Sequence, residues 1–126
     1  MPAQYTHRIL AETVLRSLPN NVRGKISCLP AYYLGAQGAD ILYFLHLRRG
    51  REKNLGSYFH NVGVFDGFCS LLSSARESAF AFSYAAGFIT HYAADTVFHP
   101  FVYGMIEKFN DYEPDWRGRR HSYIEN

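Results

Sequence analysis

Residues 79–98 read AFAFSYAAGFITHYAADTVF. Apolar side chains recur all round a 3.6-residue period in this stretch, so a helix here has almost no polar face. Such a helix belongs at the centre of a bundle, where other helices cover it. Ser78, just before the run, is a residue type that caps a helix N-terminus. Within the run His91 and Asp95 are spaced i, i+4, and the next turn brings His99, followed by Pro100. On a helix these three side chains stack on one face, one turn apart. Two imidazoles and a carboxylate on an apolar stripe are costly to bury as free polar groups. A metal ion is the partner that resolves this, against the alternative that all three are ordinary hydrogen-bonded core residues.

Working outward, Pro100 is expected to kink or restart the chain, with helix continuing over 101–109. Residues 110–118 have loop composition, and 121–126 can begin a last helix. Upstream, the pattern predicts one long helix over 55–76, with Phe59, Val62, Phe65, Phe68, Cys69 and Leu72 as its inner stripe. Residues 48–54 form a polar loop carrying Arg48, Arg49, Arg51 and Lys53, read as a solvated loop with a phosphate-attracting lip as the alternative. The apolar stretch 41–47 is too short to distinguish a helical turn from a strand. Gly35 and Gly38 make a turn that presents Asp40. A helix over 22–34 is expected, disturbed by Pro30. The first helix spans 5–18, with Ile9, Leu10, Val14, Leu15 and Leu18 at helical spacings, and Pro19-Asn20 ends it. The fold class is therefore all-α, a helical bundle around a His/Asp/Glu metal cluster, in a single domain covering 1–126.

Composition excludes some functions. The net charge of +2 over 126 residues gives no basic footprint, so no stable nucleic-acid partner is expected. Aromatic residues reach 17%, mostly Tyr and Phe, which reads first as a helical core padded with rings and otherwise as an aromatic-walled pocket or a membrane-facing rim. Tyr32, Tyr33, Phe44 and Tyr58 are candidates for a pocket wall, with core packing as the plainer reading, and an aromatic-rich surface would make weak membrane contact. Cys28 and Cys69 form no C-x-x-C motif and read as two reduced, buried thiols rather than a disulfide. The N-terminus has no signal-peptide pattern and no run is long enough to span a bilayer. The expected location is cytoplasmic, or secreted if a signal was removed. Oligomeric state is not written in the sequence.

The candidate ligands are His7, Asp40, His60, His91, Asp95, His99, His121 and Glu125. His121 and Glu125 repeat the i, i+4 spacing; His46 shows no such partner and reads as a surface residue. Eight ligands are too many for one tetrahedral ion and suit two or three. A nitrogen and oxygen set without thiolate suits zinc, with iron or manganese as alternatives. The H-E-x-x-H motif of zinc proteases is absent, and so is an adjacent His-Asp pair.

The order of these residues resembles the zinc-dependent phospholipase C family, which includes related single-strand-specific nucleases. The matching stretches are Thr6-His7, Gly38-Ala39-Asp40, Phe59-His60, Gly87 with His91-Tyr92 and Asp95, His99-Pro100, and His121-Ser122 with Glu125. The interval from Asp95 to His99 is two residues shorter than in the secreted phospholipases, and family members usually continue beyond the last motif, so the match is to a short or truncated member. The resemblance implies an all-helical fold holding two or three zinc ions. Asp40, His60, His91 and Asp95 would surround one ion. His99, His121 and Glu125 would hold a second, and His7, Asp95 and the N-terminal amine a third. Asp40 would also be the general base. The implied activity is hydrolysis of a phosphodiester, a phospholipid among the candidates, by metal-bound hydroxide. Charge agrees: three divalent ions outweigh Asp40, Asp95 and Glu125 two to one and leave a cationic site for an anionic phosphate. The alternatives are a catalytically inactive zinc-binding domain and a metal-free interaction module.

Overall fold

The computed structural model describes residues 4–44 and 55–110. These residues form helices and no strand. In chain order they are α1 (Gln4–Ser17), α2 (Asn20–Arg23), α3 (Leu29–Gly35), a 3-10 helix (Gly38–Phe44), α4 (Leu55–Asn61), α5 (Val64–Ser74) and α6 (Ala79–Asn110). Among the described residues no helix is long and apolar enough to cross a membrane.

The long α6 is the axis of the assembly, and α1, α3, α5 and the 3-10 helix all pack on it. Its N-terminus is capped as the sequence suggests: the Ser78 hydroxyl accepts the Ala81 N–H at 3.1 Å. Pro100 does not restart the chain, because α6 runs through it without interruption to Asn110. The loss of one ladder hydrogen bond is offset by the packing that holds the helix on both sides of it.

The closest helix pairing is α3 on α6. A β-carbon at Gly35 would overlap the backbone of Tyr84, and one at Gly87 would overlap the carbonyl of Tyr32. Two glycines facing each other's helices thus let the backbones touch. The core beside this seam is Ala11 and Leu15 of α1, Ile26, and Tyr32 and Ala36, with Phe82 and Ala86 of α6 against it.

Two expected helices are each divided. The helix expected over 22–34 is α2 and α3, separated by an irregular stretch over 24–28. Pro30 does not disturb α3 but lies in its first turn, where its missing N–H has no cost. The helix expected over 55–76 is α4 and α5. The N–H groups of Val62 and Gly63 both bond to the Tyr58 carbonyl and close α4; the Gly63 carbonyl then accepts from Gly67 and opens α5. This break redirects the expected inner stripe. Phe59 and Phe68 face inward, but Val62 and Phe65 are 67% and 77% exposed, and Cys69 and Leu72 also face solvent. Both cysteines are free thiols, yet neither is fully buried. The stretch 41–47 is neither strand nor α-helix as far as it is described: its first part belongs to the 3-10 helix. Of the expected aromatic wall, Tyr32 is core, Tyr33 half-buried and Tyr58 exposed. The Phe44 side chain, the basic loop with His46, and the expected loop and helix after residue 110 lie outside the described residues.

Candidate metal centre

Five of the eight candidate ligands converge from four elements. His7 comes from α1, Asp40 from the 3-10 helix, His60 from the end of α4, and His91 and Asp95 from successive turns of α6. One donor atom from each of Asp40, His60, His91 and Asp95 can be chosen so that all four lie within 4.8 Å of one another. His60 Nε2 is 3.1 Å from Asp40 Oδ1 and 3.6 Å from Asp95 Oδ2, and His91 Nε2 is 3.3 Å from that same oxygen. His7 Nε2 stands 3.4 Å from Asp95 Oδ1 and 3.8 Å from Asp40 Oδ2, so the carboxylate of Asp95 lies between two groups of imidazoles.

Local structure explains the convergence. Gly38 has φ +54°, a left-handed conformation that turns the chain from α3 into the 3-10 helix and sets Asp40 over α6. A β-carbon there would overlap the His91 ring. His60 is fixed from its other side, where Nδ1 donates to the Gly56 carbonyl at 2.7 Å and leaves Nε2 turned to the carboxylates. The His7 and His91 rings lie 4.3 Å apart, and those of His60 and His91 5.8 Å apart.

Asp40, His60, His91 and Asp95 line an open cavity of about 580 Å³; His7 stands behind them. His99 lines the same cavity one turn beyond Asp95, as its spacing predicts, with its ring 5.7 Å from that of Tyr103. His121 and Glu125 lie outside the described residues. Tyr43, Tyr92, Thr96 and Tyr103 also line the cavity. Sequence reasoning passed over these four. For the three on α6 a signal existed: each lies within one turn of a ligand on the same face.

A scan against protein-family models matches residues 6–126 to the zinc dependent phospholipase C model. The chain belongs to the zinc-dependent phospholipase C family. No curated protein and no solved structure matches it. The family's hydrolytic chemistry of the phospholipase C type and its dependence on zinc agree with the all-helical fold and the His/Asp group.

The residues present fit zinc. A tetrahedral ion with bonds of about 2.0–2.1 Å places its ligands roughly 3.3 Å apart. The three contacts of His60 and His91 with Asp40 and Asp95 fall at 3.1–3.6 Å. His7 Nε2 and both ring nitrogens of His91 are buried without a hydrogen-bond partner, a costly arrangement that a cation taking one lone pair from each ring would relieve in part. Electrostatics point the same way. His60 is pushed up to about 10, first by its hydrogen bond to Asp40 and then by that to Asp95. Its proton therefore stands where a cation belongs. Burial draws the Asp95 carboxyl upward, but the His60 hydrogen bond and the neighbouring imidazoles outweigh it and hold Asp95 below the usual carboxylate range. His91 is held down by burial, so it stays neutral with a lone pair to give.

Proposed function

We propose that the chain is a phosphodiester hydrolase of the phospholipase C type acting on a phospholipid. The observation that carries this is four donors, two carboxylates and two imidazoles, gathered within 4.8 Å on the floor of an open cavity. In this reading Asp40, His60, His91 and Asp95 hold one zinc ion, and His7 with Asp95 a further one. His99 lines the same cavity, and the family resemblance implies that it would hold one more ion with His121 and Glu125, for three ions at most.

Zinc held there supplies Lewis acidity toward a phosphoryl group and a nucleophile at neutral pH. The protein's own part is positioning and proton transfer. Asp40 is the candidate proton acceptor: it is buried, and its Oδ2 faces His7 at 3.8 Å while Oδ1 is occupied by His60. The Gly56 carbonyl holds the His60 ring in one tautomer, and the rings of Tyr43 and Phe88 limit water around the reacting group.

A lipid is favoured over a nucleotide by the groove next door. An apolar cavity of about 460 Å³ shares Ala39, Phe59 and Phe88 with the metal cavity and continues past Leu42 and Leu71. A phosphate over the histidines thus has an apolar path for the rest of its ester. Val62 and Phe65, exposed at the corner of α4 and α5, would add apolar contact with a membrane surface.

The test is turnover of a chromogenic phosphodiester and a short-chain phospholipid by the zinc-loaded chain, with chelator-treated protein beside it. Zinc-dependent release from both supports the proposal. Zinc binding that raises the melting temperature without any turnover would assign the ions a structural role and sink it.

A further inference from the structure

We infer that the Tyr32 hydroxyl is the positioning group that sets His7 against Asp95. This rests on the reading that His7 contributes to the metal centre.

Tyr32 belongs to α3, the helix locked backbone-to-backbone onto α6 at Gly35 and Gly87. Its side chain is 0% exposed. Its hydroxyl donates to the Ala11 carbonyl of α1 at 2.9 Å and lies 3.4 Å from Thr90 Oγ1 of α6. Ala11 is one helical turn after His7, on the same face, and Thr90 is the residue before His91. One phenol therefore hydrogen-bonds the helix that carries His7 from α3, the helix seated on the one that carries His91 and Asp95, and touches the latter at Thr90, whose own proton goes to the Ala86 carbonyl. Ala11 and Leu15 of α1 otherwise share an apolar cluster with Ile26 and Ala36, and at the half-buried edge the Arg8 guanidinium lies 3.7 Å over the Tyr33 ring. Apolar contact holds α1 down but has no direction, so it tolerates a slide or a roll. A hydrogen bond has direction and sets the register. His7 Nε2 lies near both carboxylates without a hydrogen bond to either, so no hydrogen bond at that atom sets its register. Burial raises the Tyr32 phenol pKa, so it remains a donor across the working pH range.

The experiment is histidine-selective NMR of the full chain in chelator, followed by titration with Co²⁺, for the parent, Tyr32→Phe, His7→Ala and the double variant. In Tyr32→Phe the His7 ring signal, shifted by the His91 ring beside it, should move toward that of a free imidazole while the His60 signal stays. Co²⁺ affinity should fall about 10–100-fold, as for loss of other groups that orient ligands. The double variant should lose no more than His7→Ala alone, because Tyr32 acts through His7. A 4-fluorophenylalanine at position 32, which matches the phenol in size but cannot donate, must give the same His7 shift. An unmoved His7 signal, or a double variant whose losses simply multiply, overturns the inference. A parent chain that takes up no Co²⁺ overturns the metal reading instead, and the NMR comparison then decides the role of Tyr32 by itself.

Discussion

Gly38, at φ +54°, lies against the imidazole of His91 so closely that the ring occupies the space a β-carbon would need. One position thus has two constraints, a left-handed backbone and a steric one. Gly38→Ala is expected to cost about 1–2 kcal/mol through the backbone alone. It should also push His91 off its place and lower zinc affinity about 10–100-fold. Gly104 has nothing within 4 Å of an added β-carbon, so Gly104→Ala in α6, the helix that carries His91, serves as the control. Zinc titration of both variants checks this; an unchanged affinity in Gly38→Ala would contradict the placement of His91.

Asp95 faces His7, His60 and His91 at once. Asp95→Asn removes the charge while keeping shape and hydrogen-bonding capacity. Turnover is expected to vanish and the zinc content to fall, with the helical circular-dichroism spectrum retained. Full activity in this variant would remove Asp95 from the centre.

Metal-free protein should show a pH optimum of stability. The His60 pKa is raised to about 10, so its contribution is complete below about 6.5 and is lost as pH rises through about 10. His91 is lowered, so its contribution is complete above about 6.5 and is lost as pH falls through its folded value. Asp95 is lowered as well, and its contribution is present above its ordinary value and lost in stronger acid. Together they put the highest melting temperature near pH 6.5. Zinc, which replaces the His60 proton, should flatten the alkaline arm. Melting curves from pH 4 to 10, with chelator and with zinc, measure both arms. A chelated protein that grows more stable from pH 7 to 10 contradicts this account.

Leu71 lines the apolar groove beside the metal cavity and does not line that cavity itself. Leu71→Trp should fill the groove, raising KM for a phospholipid about 10-fold for roughly two buried methylenes displaced. kcat/KM for a small soluble diester should not change. Equal effects on both substrates would separate the groove from lipid recognition.

How much of this was legible before folding depends on how local each feature is. The stripe of His91, Asp95 and His99 follows from helical periodicity, and α6 does place all three on the metal cavity. The Ser78 cap and the extent of α1 are equally local and were legible for the same reason. The break at Val62-Gly63 was not. A helical pattern runs straight through those residues, and turning α5 so that Phe68 meets the rings of Phe88 and Tyr92 is decided by packing. His7, Asp40 and His60 could be named as ligand types from the sequence, but their spacing does not bring them together; only the resemblance to the family implied that they join His91 and Asp95. Their meeting depends on the α3–α6 backbone contact at Gly35 and Gly87, on the left-handed turn at Gly38, and on the Tyr32 bond to Ala11. The sequence by itself determined the all-helical class, the extent of α1, the donor types and the stripe on α6, because each follows from local residue type or the period of one helix. Only the tertiary structure decided how four separate elements bring those donors within reach of one another, because that depends on how close two backbones can approach and in what register they are held.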